Sequence, residues 1–170
     1  MLSCNSTDNH IAKLSSPQIE LVFAKLKDGK QLPAGILSNG IKEGLWLEYD
    51  LRNGYIFRAT SYSKGKKSGR ELTYYKNNSI MTDTHYVNGI KQGNYISYFE
   101  NGNPDSKGQY KNDQTSGVWE YYLSDGSLSK KIEFLNEGGK KVILDNGLEI
   151  PLPDEIPNTP IDSCNKVVID

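Results

Sequence analysis

Asn88–Lys111 reads NGIKQGNYISYFENGNPDSKGQYK, and the fold follows from it. Asn88-Gly89 opens it, Gly93 follows, and an aromatic run ends in Tyr98 and Phe99. A second Asn-Gly pair stands at 101–102, and a polar segment then closes on Tyr110. Asn-Gly between alternating segments is the strongest short-range hairpin signal, because both residues tolerate the positive φ of a type I′ turn. The stretch therefore predicts one β-hairpin together with the turn that leads into it.

The remainder of the chain repeats this unit. Gly93 has counterparts at Gly44, Gly69 and Gly117, at successive spacings of 25, 24 and 24. Tyr98 matches Tyr49, Tyr74 and Tyr122, and Gly102 matches Gly54, Asn78 and Gly126. Tyr110 matches Tyr62, Tyr86 and Phe134, while Asn88-Gly89 matches Asn39-Gly40, Lys64-Gly65 and Asn112-Asp113. A fixed period of this size marks a repeat architecture. Degenerate units flank the four, one turning at Asp28-Gly29 and one at Asn146-Gly147, as terminal units that cap a stack do.

The pattern resembles the MORN (membrane occupation and recognition nexus) repeat, and more closely its bacterial variant, from about Gly29 to Gly138. The residues that carry the likeness are Gly44-Leu45-Trp46, Tyr49 and Asn53-Gly54; Tyr95, Tyr98 and Asn101-Gly102; and Gly117-Val118-Trp119, Tyr121-Tyr122 and Asp125-Gly126. The second unit departs from it, with Glu71 in place of the aromatic and Asn78 in place of the turn glycine. The resemblance implies a binding scaffold with varied partners; some bacterial members are named antitoxins and others carry lipoprotein signals.

Composition supports a thin sheet. At 170 residues one domain is the default. Only 36% of residues are hydrophobic, yet all eleven tyrosines fall between Tyr49 and Tyr122, so Tyr takes the packing role of Leu and Val while its hydroxyl stays hydrated. The net charge of −1 gives no argument for a nucleic-acid or anionic-membrane partner. No apolar run reaches the ~18–20 residues of a transmembrane helix.

Three segments are expected: a tail or tether over 1–16, the hairpin repeats over 17–150, and an extension over 151–170 that holds four prolines between Pro151 and Pro160. The tail contains Leu2-Ser3-Cys4 followed by Asn5-Ser6-Thr7-Asp8, which looks like the junction where a lipoprotein signal is cut and its cysteine acylated. The basic and apolar regions that precede such a junction are absent here. The alternatives are a truncated start, with Cys4 the lipid attachment site and an envelope location, or a cytoplasmic protein with an ordinary tail. The two cysteines, Cys4 and Cys164, form neither a metal pattern nor a disulfide framework.

Alternation along the first strands divides their side chains between two faces. Leu47/Tyr49, Leu72/Tyr74, Ile96/Tyr98 and Tyr122 recur in every unit and form the expected core column. Trp46, Tyr95 and Trp119 lie on the other face, where Glu71 breaks the row; an unpaired buried carboxylate costs several kcal/mol, so this row is expected to be partly exposed. Trp46, Tyr95 and Trp119 are accordingly the candidate partner-binding residues, since Trp and Tyr offer large contact area with few rotors.

Catalytic chemistry finds little support. His10 and His85 are the two histidines, one in the tail and one in a return strand. Lys64-Gly-Lys-Lys-Ser-Gly-Arg70 is the one basic cluster, and it reads as a solvated turn, not a phosphate loop, which needs Gly-x-x-x-x-Gly-Lys-Ser/Thr opening a helix. The expectation is an all-β protein, an elongated, twisted antiparallel sheet of successive hairpins with no cofactor, metal or enzymatic activity. It is expected to act as a monomer that binds a protein partner, with a toxin as one candidate. An envelope lipoprotein of structural or adhesive role is the alternative.

Overall fold

A computed structural model of the chain describes residues 16–135, 139–146 and 148–149. Cys4, the tail and the 151–170 extension lie outside the described residues. Twelve strands follow one another: β1 (Ile19–Lys25), β2 (Gln31–Ser38), β3 (Ile41–Tyr49), β4 (Ile56–Ser63), β5 (Lys66–Tyr74), β6 (Ile80–Val87), β7 (Ile90–Tyr98), β8 (Pro104–Lys111), β9 (Gln114–Tyr122), β10 (Leu128–Phe134), β11 (Lys140–Asp145) and β12 (Leu148–Glu149). They form one open sheet in sequence order, each antiparallel to its neighbours, and no helix occurs among the described residues. The fold class is the expected one.

Two kinds of turn alternate along the sheet. At one end both central residues have positive φ: Asn39-Gly40, Lys64-Gly65, Asn88-Gly89 and Asn112-Asp113. These are two-residue hairpins of the I′ kind, whose twist matches that of the strands. Turns at the other end use three residues, the last left-handed, as at Gly29, Asn78, Gly102 and Gly126. There a side-chain oxygen of Asp28, Asn77, Asn101 or Asp125 accepts the backbone N–H two residues on. Asn78 substitutes for glycine because Asn tolerates this region better than other residues with a Cβ. The turn closed by Gly54 is one residue longer, with Asp50 N–H donating to the Tyr55 carbonyl and Gly54 N–H to that of Asp50. That extra residue accounts for the first spacing of 25 against 24 thereafter.

Gly44, Gly69, Gly93 and Gly117 lie inside strands, not at their starts. All four have positive φ, and the strands begin three residues before each of them. Around Gly69 the partner strand steps from Thr60↔Glu71 to Tyr62↔Lys67, so extra residues bulge out of the ladder; the same step recurs between Thr84 and Tyr86 and between Lys107 and Gln109. Such bulges raise the local twist. Pro33 sits beside another irregularity, where Val22 pairs Gly35 but Phe23 pairs Pro33, leaving Ala34 outside the register.

Neighbouring repeats are also tied through their turns. Gly65, Gly89 and Asp113 N–H groups donate to the carbonyls of Lys42, Lys67 and Lys91. At the other end Asn77 Nδ2 donates to the Glu100 carbonyl and Asn101 Nδ2 to that of Ser124. Asn in these turns therefore serves twice, shaping its own turn and holding the next.

Candidate functional site

The cross-strand register sorts the side chains into two unlike faces, since residues directly opposite in an antiparallel ladder share a face. One face carries the row Trp46–Thr60–Glu71–Thr84–Tyr95 and continues through Gly108 to Trp119 and Ile132. Beside it runs a row in which Tyr62, Tyr86, Tyr110 and Phe134 stand opposite Gly44, Gly69, Gly93 and Gly117. A third row is made of small hydroxyls, with Thr73 bonded to Thr82 at 2.6 Å and Ser97 to Ser106 at 2.7 Å.

This aromatic face is the more densely covered of the two. Trp119 is 4% exposed, Glu71 8% and Thr60 1%. The small residues are buried because their neighbours are large: each ring spreads over the short side chains of adjacent strands. Trp119 has the fullest surroundings. Its ring stacks on Tyr95 at 5.4 Å and meets Tyr110 edge-on at 5.2 Å, with Tyr121 and Phe134 at 6.4 and 6.2 Å. Its Nε1–H donates to the Gln109 carbonyl at 3.2 Å. Burial pushes the Tyr110 and Tyr121 phenols upward.

Glycine makes room for each tryptophan. A Cβ on Gly35 would lie 2.5 Å from Trp46 Cδ2, and one on Gly108 would lie 2.6 Å from Trp119 Cγ and closer still to its ring-fusion carbons. Neither glycine has positive φ, so space alone requires them. The equivalent positions over Glu71 and Tyr95 are Thr60 and Thr84. Glycine therefore stands under tryptophan and threonine under the smaller residues, always eleven positions earlier in the chain. That pairing was available in the sequence as a further repeat column, Gly35, Thr60, Thr84, Gly108 and Ile132.

Glu71 occupies the gap in the aromatic row and is paired there. Its carboxylate accepts from Thr60 Oγ1 at 3.0 Å, Tyr86 OH at 3.3 Å and the Lys67 ammonium. Burial opposes ionisation, but the Lys67 and Thr60 hydrogen bonds together with the Lys67 charge outweigh it and hold the carboxyl below its ordinary range. Burial first, and the Glu71 charge second, push the Tyr86 phenol up to about 12. The expectation that this row is partly exposed because an unpaired Glu71 interrupts it is therefore corrected in its reason and at Trp119. The charge is compensated, Trp119 is buried, and Trp46 and Tyr95 are half-buried.

Lysines complete the face. Lys42, Lys67 and Lys91 stand opposite Leu37, Tyr62 and Tyr86. Each ammonium lies over a ring: Lys42 is 4.2 Å from the Trp46 centroid, Lys67 4.8 Å from Tyr86 and Lys91 4.8 Å from Tyr110. The basic Lys64–Arg70 cluster is divided by the same alternation. Lys67 pairs with Glu71 on this face, and Arg70 pairs with Asp83 at 2.7 Å on the other.

The opposite face carries charge. Its central row runs Leu47–Ala59–Leu72–Asp83–Ile96–Lys107–Glu120–Lys131–Leu144. Glu120 is bonded by Lys107 and Lys131, both at 2.8 Å, and by Tyr122 OH at 2.7 Å. Those bonds, Lys107 foremost, bring its pKa down to about 2. The tyrosine column expected as core lies at the turn end of this face. Tyr49 is buried and donates to the Pro33 carbonyl at 2.7 Å, whereas Tyr74, Tyr98 and Tyr122 are half-buried. The column recurs because each ring covers the start of the return strand, where it pairs with Ile56, Ile80, Pro104 or Leu128.

His85 is in β6 on the charged face, its Nδ1 3.2 Å from the Asn94 carbonyl. Among the described residues no group of three or more His, Cys, Asp or Glu side chains converges as metal ligands do.

The fold and this face define a repeat scaffold: serial hairpins whose broad surfaces, not a cleft, hold the distinctive side chains. A family model described as a MORN repeat variant matches residues 91–112, the β7–β8 hairpin with its flanking turn. No curated protein and no solved structure matches the chain.

Proposed function

We propose that the protein is a non-enzymatic scaffold that binds a protein partner through the aromatic face. The observation that carries this reading is the cluster of Tyr95, Tyr110, Trp119, Tyr121 and Phe134, with the lysine column beside it. Buried Trp119 serves as the floor, and the half-buried rings around it are the contact surface. Aromatic residues seated on a rigid base offer contact area at little entropic cost. A toxin to be neutralised is the partner class suggested by the resemblance to the repeat variant; a neighbouring toxin-like reading frame in the source genome would support it. The envelope-lipoprotein reading rests on Leu2-Ser3-Cys4, and mass spectrometry of the native protein tests it through the acylation of Cys4.

Because Trp119 is buried, its removal would confuse folding with binding. The informative variant is Tyr110→Ser with Tyr121→Ser, compared with Val118→Ser, which alters an exposed residue on the charged face. Co-purification of the partner from the native organism is expected to be lost in the first variant and kept in the second, with circular dichroism unchanged in both. Retention by the double variant would refute the assignment of the face.

A further inference from the structure

Strand β1 is the terminal strand of the sheet, and among the described residues nothing pairs with its outer edge. Its Ile19, Leu21 and Phe23 alternate onto the charged face and are 59%, 66% and 50% exposed. Two strands in, on β3, Ile41 and Leu45 are also about half exposed on this face, with Glu43 between them. Edge strands are ordinarily defended by charge, proline or a strong bulge. Here the charges are Glu20, on the aromatic face, and the terminal Lys25, with one register step at Val22/Phe23, so the charged-face side of the strand keeps only apolar side chains between Ile19 and Phe23.

We propose that this edge is the interface of a homodimer, β1 pairing antiparallel with β1 of a second copy about a two-fold axis at Val22. Two arguments select this occupant. The first is symmetry. Antiparallel pairing of identical edges requires a two-fold axis perpendicular to the sheet, and such an axis keeps each face on its own side. The apolar side chains of the two copies therefore always meet on one face. The second argument is complementarity. An axis at Val22 sets Leu21 opposite Phe23 of the partner subunit and, by the same operation, Phe23 opposite Leu21 of the partner subunit. It places Glu20 against Ala24 of the partner subunit and Lys25 against Ile19 of the partner subunit. No like charges are opposed, and two apolar cross-strand pairs are gained, the kind of pair that stabilises a ladder. The dimer joins two twelve-stranded sheets edge to edge and leaves both aromatic faces open, so it stands independently of the partner-binding reading. It also departs from the monomer expected from sequence, where strand exposure is invisible.

Light-scattering mass measurement on the full chain tests the idea over roughly 1–200 µM, since dimer population depends on protomer concentration. The expected result is twice the chain mass at the upper concentrations. Leu21→Lys should give the single-chain mass with unchanged circular dichroism, and Glu20→Lys, on the other face, should remain dimeric. A wild-type chain that stays at single mass throughout, or a Leu21→Lys variant that still dimerises, would overturn the proposal. Register is read separately in a Cys4→Ser/Cys164→Ser background. Leu21→Cys with Phe23→Cys should form an intermolecular disulfide under mild oxidation, and Leu21→Cys alone should not. Absence of the link in the double variant, or equal linking in the single one, would refute this pairing.

Discussion

Gly108→Ala adds one methyl group at a residue with ordinary backbone geometry, and it should be among the most damaging small substitutions in the protein. The added Cβ would lie 2.6 Å from Trp119 Cγ, where ordinary contact begins near 3.4 Å. The indole must therefore withdraw by about an ångström, since a β-sheet ladder bonded on both sides gives less than a side chain. Overpacking of this kind costs ~1–3 kcal/mol. A displaced indole also weakens its stacking on Tyr95 and its edge contact with Tyr110, each such pair being worth about 0.5–1.5 kcal/mol, and strains the bond from Nε1 to Gln109. The expected loss is about 3 kcal/mol, measured by equilibrium denaturation, with a red shift in the emission of Trp119. Gly117→Ala supplies the contrast. It has open space around its Cβ position but φ of 64°, so its cost is backbone strain of about 1–2 kcal/mol with tryptophan emission unchanged. A double-mutant cycle separates the two causes: Trp119→Ala should remove most of the penalty of Gly108→Ala and none of that of Gly117→Ala. If Gly108→Ala alone costs less than ~1 kcal/mol, the argument that glycine is required beneath tryptophan fails.

Three other outcomes follow from the faces. Lys67→Met removes the cation that pairs with buried Glu71 and should destabilise the fold by about 2 kcal/mol, whereas Lys64→Met, in the exposed turn, should change stability by less than ~0.5 kcal/mol; equal effects would show that Glu71 does not depend on the pairing. Glu120 has its pKa lowered from 4.5 to about 2 in the folded chain. Its contribution is therefore complete above about pH 4.5 and is lost as pH falls toward 2. Glu120→Gln should flatten the acid limb of stability in that window, and an unaltered limb would refute the role of the Lys107–Glu120–Lys131 ladder. Tyr98→Ala should cost about 1–2 kcal/mol in urea denaturation, less than the ~3–5 kcal/mol of a fully buried aromatic, because the ring is only half-buried; a loss above ~3 kcal/mol would restore the tyrosine column as the main core.

Much of this molecule is local, and what is local was legible. Asn88-Gly89, Asn39-Gly40 and Asn112-Asp113 fix two-residue turns through the positive φ that Asn, Asp and Gly tolerate well, and Lys64-Gly65 takes the same turn by its place in the repeat. The recurrence of Tyr98 and Gly102 at 24-residue intervals then fixes the order of strands, because a hairpin chain with short turns can pair only with its neighbours. Even the longer turn at Asp50–Tyr55 was present as a spacing of 25. Which face would be covered was not legible. Alternation divides Trp46 from Leu47, but both faces carry aromatics, and period alone does not rank them. The ranking came from partners distant in sequence: Gly108 lets Trp119 lie flat, Tyr86 and Lys67 turn Glu71 from a break in the row into part of it, and Lys107 with Lys131 commit the other face to charge around Glu120. Burial depends on what stands on the adjacent strand, and a repeat motif read one strand at a time does not contain that. The exposure of Leu21 is of the same kind, for a strand stands at the edge only once the sheet is assembled and, among the described residues, no strand lies beside it.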